Sequence, residues 1–361
     1  MKSALRLLLL FSFLYCPALS AEDNTIKIGI ILPLSGSLAS VGTSFRDAAK
    51  MGLADSGSDL HHKYQLIFED DKLEPKLAAS AAIKLINVDK VDAIISTWSY
   101  GGSIVAPMAE RAKIIHFASA WDARFATGKY TYLHLSPPEE FVSKLIAGFK
   151  YKNYSKVAAI AIQESGSAFA LTELEKQLKE NKLELVSTQE ITDWSETNLR
   201  PYLLNAKQKN PDVIYANIVS PMIELMLKQA GELKIDIPIV AMTGYDTSND
   251  LGLLEGKWYV TDSYFESELE TRFVKQYKHD RLYGASNYYD MIRLLVYIFD
   301  KASLPEDREK LPELLEANLA DFPSIFGRLE LVAPGVFKYP SRYIIVKNGK
   351  RLFSSLTELD F

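Results

Sequence analysis

Short apolar runs alternate along the chain with segments in which apolar residues recur every three or four positions. The apolar runs predict two series of strands, at residues 26–32, 64–69, 93–96 and 114–117, then at 157–162, 183–189, 213–218, 239–242 and 259–264. Helical periodicity lies between them, at 76–87, 171–181, 221–233 and 287–302. Apolar strands that alternate with amphipathic helices are typical of βαβ units on parallel sheets covered on both faces. We therefore predict an α/β fold with doubly wound parallel sheets.

The number of predicted strands and the length of 361 residues both exceed what a single hydrophobic core usually supports. We expect a break at 130–139, where a β-rich run ends in Ser136-Pro137-Pro138. The sequence has no Gly/Ser-rich linker, which favours two lobes joined by short crossovers. Apolar runs at 336–339 and 343–347 are followed by Asn348-Gly349, a strong hairpin signal. We expect this tail to return to the second lobe.

Residues 1–21 have the features of a secretory signal peptide. Lys2 and Arg6 precede an apolar run at 7–15, and the small residues Ala18 and Ser20 suit cleavage. A membrane anchor is the alternative, but the run is well short of the roughly 20 apolar residues that span a bilayer. We therefore expect export to the periplasm.

The only cysteine, Cys16, falls inside this leader. A lipoprotein site would need small residues just before it, where the chain has Leu14 and Tyr15. The mature protein is therefore expected to form no disulfide. Loss of Lys2 and Arg6 takes the net charge from −5 to −7, and an acidic protein is poorly suited to nucleic acid.

Several short motifs occur in an order and spacing shared with a known family. They are Pro33-Leu34-Ser35-Gly36 followed by Gly42, Asp70-Asp71 followed by Pro75-Lys76, Ser99-Tyr100-Gly101, and Tyr288-Tyr289-Asp290. In these motifs the chain resembles the leucine/isoleucine/valine-binding family, the type I periplasmic solute-binding proteins of branched-chain amino-acid ABC importers. The resemblance covers most of the chain and is strongest at 25–122.

The resemblance implies two α/β lobes joined by three crossovers, with the ligand in the cleft between them. The expected division is 22–138 plus 266–325 for the N-terminal lobe and 139–265 plus 326–361 for the C-terminal lobe. It also implies a monomer without cofactor or metal. Such a protein captures a small amino-acid-like, amide or cationic solute by lobe closure and delivers it to the membrane permease of an ABC importer.

The loop after the third predicted strand is the first candidate site, because ligands of open α/β sheets bind beyond the carboxyl ends of the strands. The loop contains Trp98, Ser99, Tyr100 and Gly101. A helix follows it, and the free N–H groups at a helix start favour an anion. In the family this loop helps to hold an amino-acid carboxylate. A plain strand-to-helix turn is the alternative.

The loop after the fourth strand adds Ala120, Trp121 and Asp122. By the resemblance, Ala120 and Asp122 match positions that also hold the carboxylate. Amino-acid-binding members have a hydroxyl residue where this chain has Asp122. Tryptophans beside a carboxylate suit a cationic or amphipathic ligand, although Trp98 and Trp121 could instead brace the lobe.

Further candidates are Tyr245 and Asp246 on the second lobe and Tyr288 at the start of a late helix. The family acid that pairs with a ligand ammonium group falls near 243–246, so Asp246 is its candidate replacement. Tyrosines that cover the ligand in amino-acid-binding members fall near Val41, Gly166 and Val219. We therefore expect the family architecture with a changed pocket.

Three other functions remain open at this stage: a secreted hydrolase, a ligand-sensing receptor without a transport role, and a structural or receptor-like ectodomain without a small ligand. A secreted hydrolase needs an activated nucleophile, but no G-x-S-x-G motif occurs and the five histidines lie outside catalytic motifs. A ligand-sensing receptor without a transport role would have the same fold as an importer's binding protein. The pair His61-His62 and the acids at 69–74 are weak metal signals, and we predict no metal site.

Overall fold

The computed structural model describes residues 25–248, 250–262, 267–279, 284–338 and 340–359. The predicted signal peptide at 1–21, with Cys16, lies outside these residues. No helix within the described ranges is long and apolar enough to cross a membrane. The strands are β1 (Thr25–Leu32), β2 (Lys63–Asp70), β3 (Ala93–Thr97), β4 (Ile115–Ser119), β5 (Thr131–Leu133), β6 (Lys156–Ile162), β7 (Glu184–Ile191), β8 (Val213–Asn217), β9 (Ile239–Ala241), β10 (Trp258–Thr261), β11 (Glu330–Ala333), β12 (Val336–Lys338), β13 (Arg342–Lys347) and β14 (Lys350–Ser354). The α-helices are α1 (Ala39–Ala54), α2 (Pro75–Lys84), α3 (Trp98–Ala112), α4 (Pro138–Tyr151), α5 (Ser165–Glu180), α6 (Arg200–Lys207), α7 (Met222–Glu232), α8 (Leu251–Leu254), α9 (Ser267–Tyr277), α10 (Ala285–Lys301) and α11 (Leu311–Asn318).

The first lobe is built on a seven-stranded sheet of order β11-β12-β5-β4-β3-β1-β2. Strands β1 to β5 and β12 pair in parallel, and β11 closes one edge in the antiparallel sense. Alternate residues of β1 pack on opposite faces, Ile30 against the helices α1 and α10 and Ile31 against α2 and α3. Burial on both faces explains why the strand is apolar almost throughout.

The second lobe is built on a sheet of order β14-β13-β10-β9-β8-β6-β7, covered by α4 to α8. Strands β6 to β10 are parallel, whereas β13 and β14 form an antiparallel hairpin beside β10. Asn348 and Gly349 connect the hairpin with φ angles of 54° and 66°. Positive φ at both central residues is the requirement of a type I′ turn, and the predicted hairpin is confirmed.

The chain passes between the lobes after β5, after β10 and after β12. The predicted fold, two doubly wound lobes joined by three crossovers, is confirmed. The expected division assigned 326–361 to the second lobe, whereas residues 330–338 form the edge of the first sheet. Phe337 is buried there against Phe117 and Tyr132. The apolar pattern of a short strand does not say which sheet edge it will join.

Candidate functional site

A cavity lies between the two lobes, beyond the carboxyl ends of the parallel strands of both sheets. Its volume is about 70 Å³, which favours a small molecule over a peptide. The lining residues from the first lobe and its crossover are Phe45, Trp98, Ser99, Ser119, Ala120, Trp121, Leu135 and Gly284. Those from the second lobe are Ile162, Glu164, Gly166, Ser167, Trp194, Asn217, Val219, Thr243 and Gly244. Four predicted site residues, Trp98, Ser99, Ala120 and Trp121, are therefore brought together at one cavity.

Trp98 and Ser99 begin helix α3 directly after the buried strand β3. Trp98 has a φ of 54°, a left-handed conformation that is a genuine outlier for a bulky residue. Strain of this kind is concentrated at ligand sites, and here the residue lines the cavity. The Ser99 Oγ accepts the backbone N–H groups of Trp121 and Asp122, each at 3.3 Å. This side chain therefore fastens the fourth-strand loop to the helix start.

Tyr100 and Gly101 follow in the same helix but do not line the cavity. The Tyr100 hydroxyl donates to the buried Asp71 carboxylate at 2.7 Å, and burial beside this acid raises the pKa of the phenol. Burial also raises the pKa of Asp71. Gly101 is buried, and a β-carbon placed on it would have Ser96 as its nearest neighbour, at 3.7 Å. The backbone N–H of Tyr100 is directed to the second lobe.

Glu164 is the acceptor of that N–H group, and sequence reasoning missed it. Its Oε1 accepts from Tyr100 N at 3.0 Å and from the Ser165 hydroxyl at 3.3 Å. Its Oε2 accepts from the backbone N–H groups of Gly166 at 2.7 Å and Ser167 at 3.2 Å, which caps helix α5. Burial raises the pKa of Glu164, and the hydrogen bonds partly oppose that rise. One carboxylate therefore joins the starts of two helices in different lobes.

Trp194 is the second cavity residue that was not predicted. It lies between β7 and α6, and its ring centroid is 5.7 Å from that of Trp98 in the opposite lobe. Because it follows the carboxyl end of a parallel strand, the rule that selected the loops of the first lobe also applies to it. The two indoles bring aromatic walls together across the cleft.

Tyr288 was predicted to face the cleft, but it lies one layer behind the cavity wall. Its ring stacks on Phe45 with centroids 4.4 Å apart, and its hydroxyl is 2.6 Å from the Thr97 Oγ1. Phe45 lies between Tyr288 and the cavity and is the residue that lines it. Tyr288 therefore supports the wall, because helix α10 is buried along this whole face.

Asp122 is also placed differently from the prediction. It does not line the cavity, and its carboxylate accepts the Arg124 guanidinium at 2.7 and 2.6 Å. The backbone N–H of Arg124 is a third donor at 3.1 Å. These contacts hold the pKa of Asp122 below its usual range against the effect of burial. Its charge is therefore already balanced within the lobe.

Tyr245 and Asp246 lie in the second lobe, behind the residues that reach the cavity. The Tyr245 hydroxyl donates to the backbone oxygen of Ile239, and Asp246 accepts from the hydroxyl of Tyr259. Asp246 also lies 3.6 Å from Arg351. The preceding residues, Thr243 and Gly244, line the cavity instead, because the short 3₁₀ turn that contains all four points its later side chains into the lobe.

Metal-binding side chains do not gather at this cavity. Across the described residues, no group of three or more His, Cys, Asp and Glu side chains is arranged to hold a metal ion. His61, one of the two adjacent histidines, instead contacts Asp300 on the first lobe, 2.9 Å from its backbone oxygen.

Comparisons with known proteins agree on the architecture. The family model described as "Periplasmic binding protein" matches residues 25–335. A leucine binding protein, LivK from Thermotoga maritima, is 22% identical with a TM-score of 0.79, over 91% of this chain and 98% of that chain. A solute binding protein of an ABC transporter from R. palustris, solved with benzoate, is 18% identical with a TM-score of 0.81, over 91% and 95%.

A third structure is the branched-chain amino acid transporter substrate binding protein LivJ from Streptococcus pneumoniae, solved with isoleucine. It is 20% identical with a TM-score of 0.77, over 91% of this chain and 97% of that chain. No curated protein sequence matches the chain. At these identities the structural likeness concerns the fold alone.

Proposed function

Because the chain belongs to the periplasmic binding protein family, we propose that it captures a small solute between its lobes for an ABC importer. The observation that supports this most directly is the cavity lined from both lobes, where the rings of Trp98 and Trp194 contact each other. We further propose that residues 1–21 direct export to the periplasm. The protein would act there as a monomer that delivers its solute to a membrane permease.

The proposed mechanism is closure of the two lobes around the solute. A ligand that contacts both lobes binds the closed state more tightly than the open state and shifts the equilibrium between them. The three interlobe segments after β5, β10 and β12 are the places where the chain can bend. A solute bound to one lobe alone would not drive this change.

The geometry bears differently on the three solute classes that the sequence favours. A cationic solute would need a carboxylate with free oxygens, but Asp122 is paired with Arg124 and each Glu164 oxygen already accepts two hydrogen bonds. An amino-acid-like solute would need the helix start at Ser99 and Tyr100, where Glu164 is already bound. An amide needs neither, so it is the class that agrees best with the cavity.

A catalytic role has less support than binding. The described residues that line the cavity include serines but no histidine or cysteine, and the one carboxylate, Glu164, is held by backbone N–H groups that start two helices. An activated nucleophile needs a base that is free to take its proton. We therefore propose that the bound solute leaves unchanged. Recovery of a chemically altered solute after incubation with purified protein would contradict this.

The decisive experiment is a thermal-shift screen of the purified mature protein with amides, amino acids, polyamines and aromatic acids, followed by small-angle scattering. A ligand at about a hundredfold excess over its Kd stabilises by roughly 2.7 kcal/mol, and scattering should then show a smaller radius of gyration. A bound solute that leaves the radius unchanged would contradict lobe closure. A screen without any stabilising solute would contradict solute capture.

A further inference from the structure

We propose that the cleft selects an uncharged, planar solute, and that Glu164 enforces this selection by occupying the anion site of the first lobe. This inference rests on the proposed function and adds the charge of the solute. It is based on the hydrogen bonds of the Glu164 carboxylate and on the aromatic and neutral polar residues that line the cavity.

The N-terminus of helix α3 is the place where an anionic solute would bind. Its backbone N–H groups and the helix dipole favour negative charge. The Tyr100 N–H in this first turn already donates to Glu164 Oε1 at 3.0 Å. An incoming carboxylate would have to displace Glu164, which also caps α5 through Gly166 and Ser167, and would be repelled by its charge. Glu164 therefore blocks anions from this helix start whenever the two lobes are in contact.

The cavity also offers a cation no carboxylate oxygen that is free to bind it directly. Glu164 is the only ionisable side chain among the described lining residues, and both its oxygens accept two hydrogen bonds. Asp122, which follows the cavity residue Trp121 in the chain, is paired with Arg124. Enclosing an unpaired charge is costly because the ion loses its hydration. A cation would therefore lose its hydration without gaining a direct ion pair, and we expect it to bind more weakly than a neutral solute.

The remaining walls suit a flat molecule with neutral polar groups. Trp98 and Trp194 present aromatic surface from opposite lobes. Trp121 lines the cavity, and its buried indole N–H has no acceptor among the described residues, so a solute carbonyl oxygen that reaches it would supply one. Asn217 donates to Ser167 at 2.8 Å, which leaves its own carbonyl oxygen as an acceptor for an N–H group. A planar amide offers both a carbonyl and an N–H group.

Two series of solutes with nearly the same shape test the assignment of charge. They are propionamide, propionate and propionamidinium, and benzamide, benzoate and benzamidinium. Affinity is measured by tryptophan fluorescence, since three of the four tryptophans line the cavity. We expect the amide to bind at least about tenfold more tightly than either ion. Tighter binding of an ion in either series would overturn the inference.

Replacement of Glu164 tests its role directly. In Glu164→Ala the Tyr100 N–H is vacated, so the affinity ratio of amide to carboxylate should fall by about tenfold or more. Glu164→Gln, which removes the charge and keeps the shape, should lower the ratio in the same direction and is decisive if Glu164→Ala does not fold. Glu180→Ala, at an exposed position of the same helix, should leave the ratio unchanged. An unchanged ratio in both Glu164 variants would overturn the inference.

The outcome for charge is separable from the outcome for solute capture. If a charged solute binds most tightly and also closes the lobes in scattering, the inference fails while the proposed function stands. If none of the six solutes binds, the solute found in the wider screen decides: an uncharged solute supports the inference, and a charged one overturns it. If that screen also finds no solute, both proposals fail.

Discussion

A β-carbon on Gly166 would lie 2.5 Å from the hydroxyl oxygen of Ser99 in the opposite lobe. The same β-carbon would lie 2.9 Å from Glu164 Oε2. Distances under 3 Å are too short for these atoms to coexist without movement. The absence of a side chain at Gly166 is therefore what allows helix α5 to meet the start of α3, and with it the contact between Glu164 and Tyr100.

The first prediction concerns closure. Gly166→Val should keep the lobes apart because its methyl groups meet Ser99, and a solute that compacts the wild type should compact the variant much less. Its affinity should fall by about tenfold or more, since contacts with one lobe are lost. Small-angle scattering and fluorescence titration measure the two effects. Gly231→Val is the control, because a β-carbon on Gly231 in helix α7 meets no atom within 4 Å. Normal compaction of Gly166→Val would show that closure does not depend on this contact.

The second prediction concerns the aromatic wall. Trp194→Ala should weaken solute binding by about 10- to 100-fold, the range expected when a buried aromatic anchor is removed. Its melting temperature should change little, because the residue lies in a loop that is only partly buried. Phe353→Ala removes an aromatic ring that is 54% exposed on the second lobe and should leave affinity unchanged. Equal affinity of Trp194→Ala and wild type would remove Trp194 from the binding site.

The third prediction separates Asp122 from the ligand. Because Arg124 balances its charge outside the cavity lining, Asp122→Asn should change the affinity for the solute by less than about threefold. A modest loss of stability is expected, because charge-assisted bonds to an exposed arginine are weakened. Titration of the solute into Asp122→Asn and wild type at low ionic strength measures the change in affinity. A large loss of affinity for a cationic solute alone would restore the role that the sequence suggested for Asp122.

Much of the fold was predictable because buried positions are occupied by apolar residues, whose spacing is visible in the sequence. The parallel strands are covered on both faces, so β1 is apolar from residue 28 to 32 and β3 from 93 to 95, and the periodicity of α10 matches its buried length. The first-lobe part of the site followed from one topological rule, which located Trp98 and Trp121 at the ends of β3 and β4. These features depend on local pattern and chain order alone.

The rest of the site depends on side-chain direction, which the pattern does not record. Tyr245 and Asp246 belong to the correct turn, but Thr243 and Gly244 are the residues that reach the cavity. Glu164 was missed because acids are common at helix starts, so its position alone does not mark it as a site residue. Its second contact, with Tyr100, exists only when the two lobes meet, and no local signal specifies that meeting.

The last prediction concerns acid sensitivity of the first lobe. His116 is fully buried in β4, with its Nε2 2.8 Å from the Ser96 Oγ and its Nδ1 3.3 Å from the Thr131 Oγ1. Burial lowers the pKa of His116 to about 3. The unfolded chain therefore takes up a proton below about pH 6.5 that the folded protein refuses, and stability falls as the pH drops through this window.

At pH 5 this one histidine should cost about 2 kcal/mol of the free energy of unfolding relative to pH 7. His116→Gln keeps polar atoms for both neighbours but cannot titrate, so its loss of stability between pH 7 and pH 5 should be smaller by about that amount. Urea unfolding at the two pH values measures the difference, and any constant packing defect cancels. The His134 ring, with its pKa also lowered to about 3, and Asp290, with its pKa raised to about 6 by burial, titrate in both proteins and cancel as well. His61→Gln, at an exposed position, should retain the wild-type dependence. Parallel pH profiles for His116→Gln and wild type would show that His116 is protonated, and so solvated, in the folded protein.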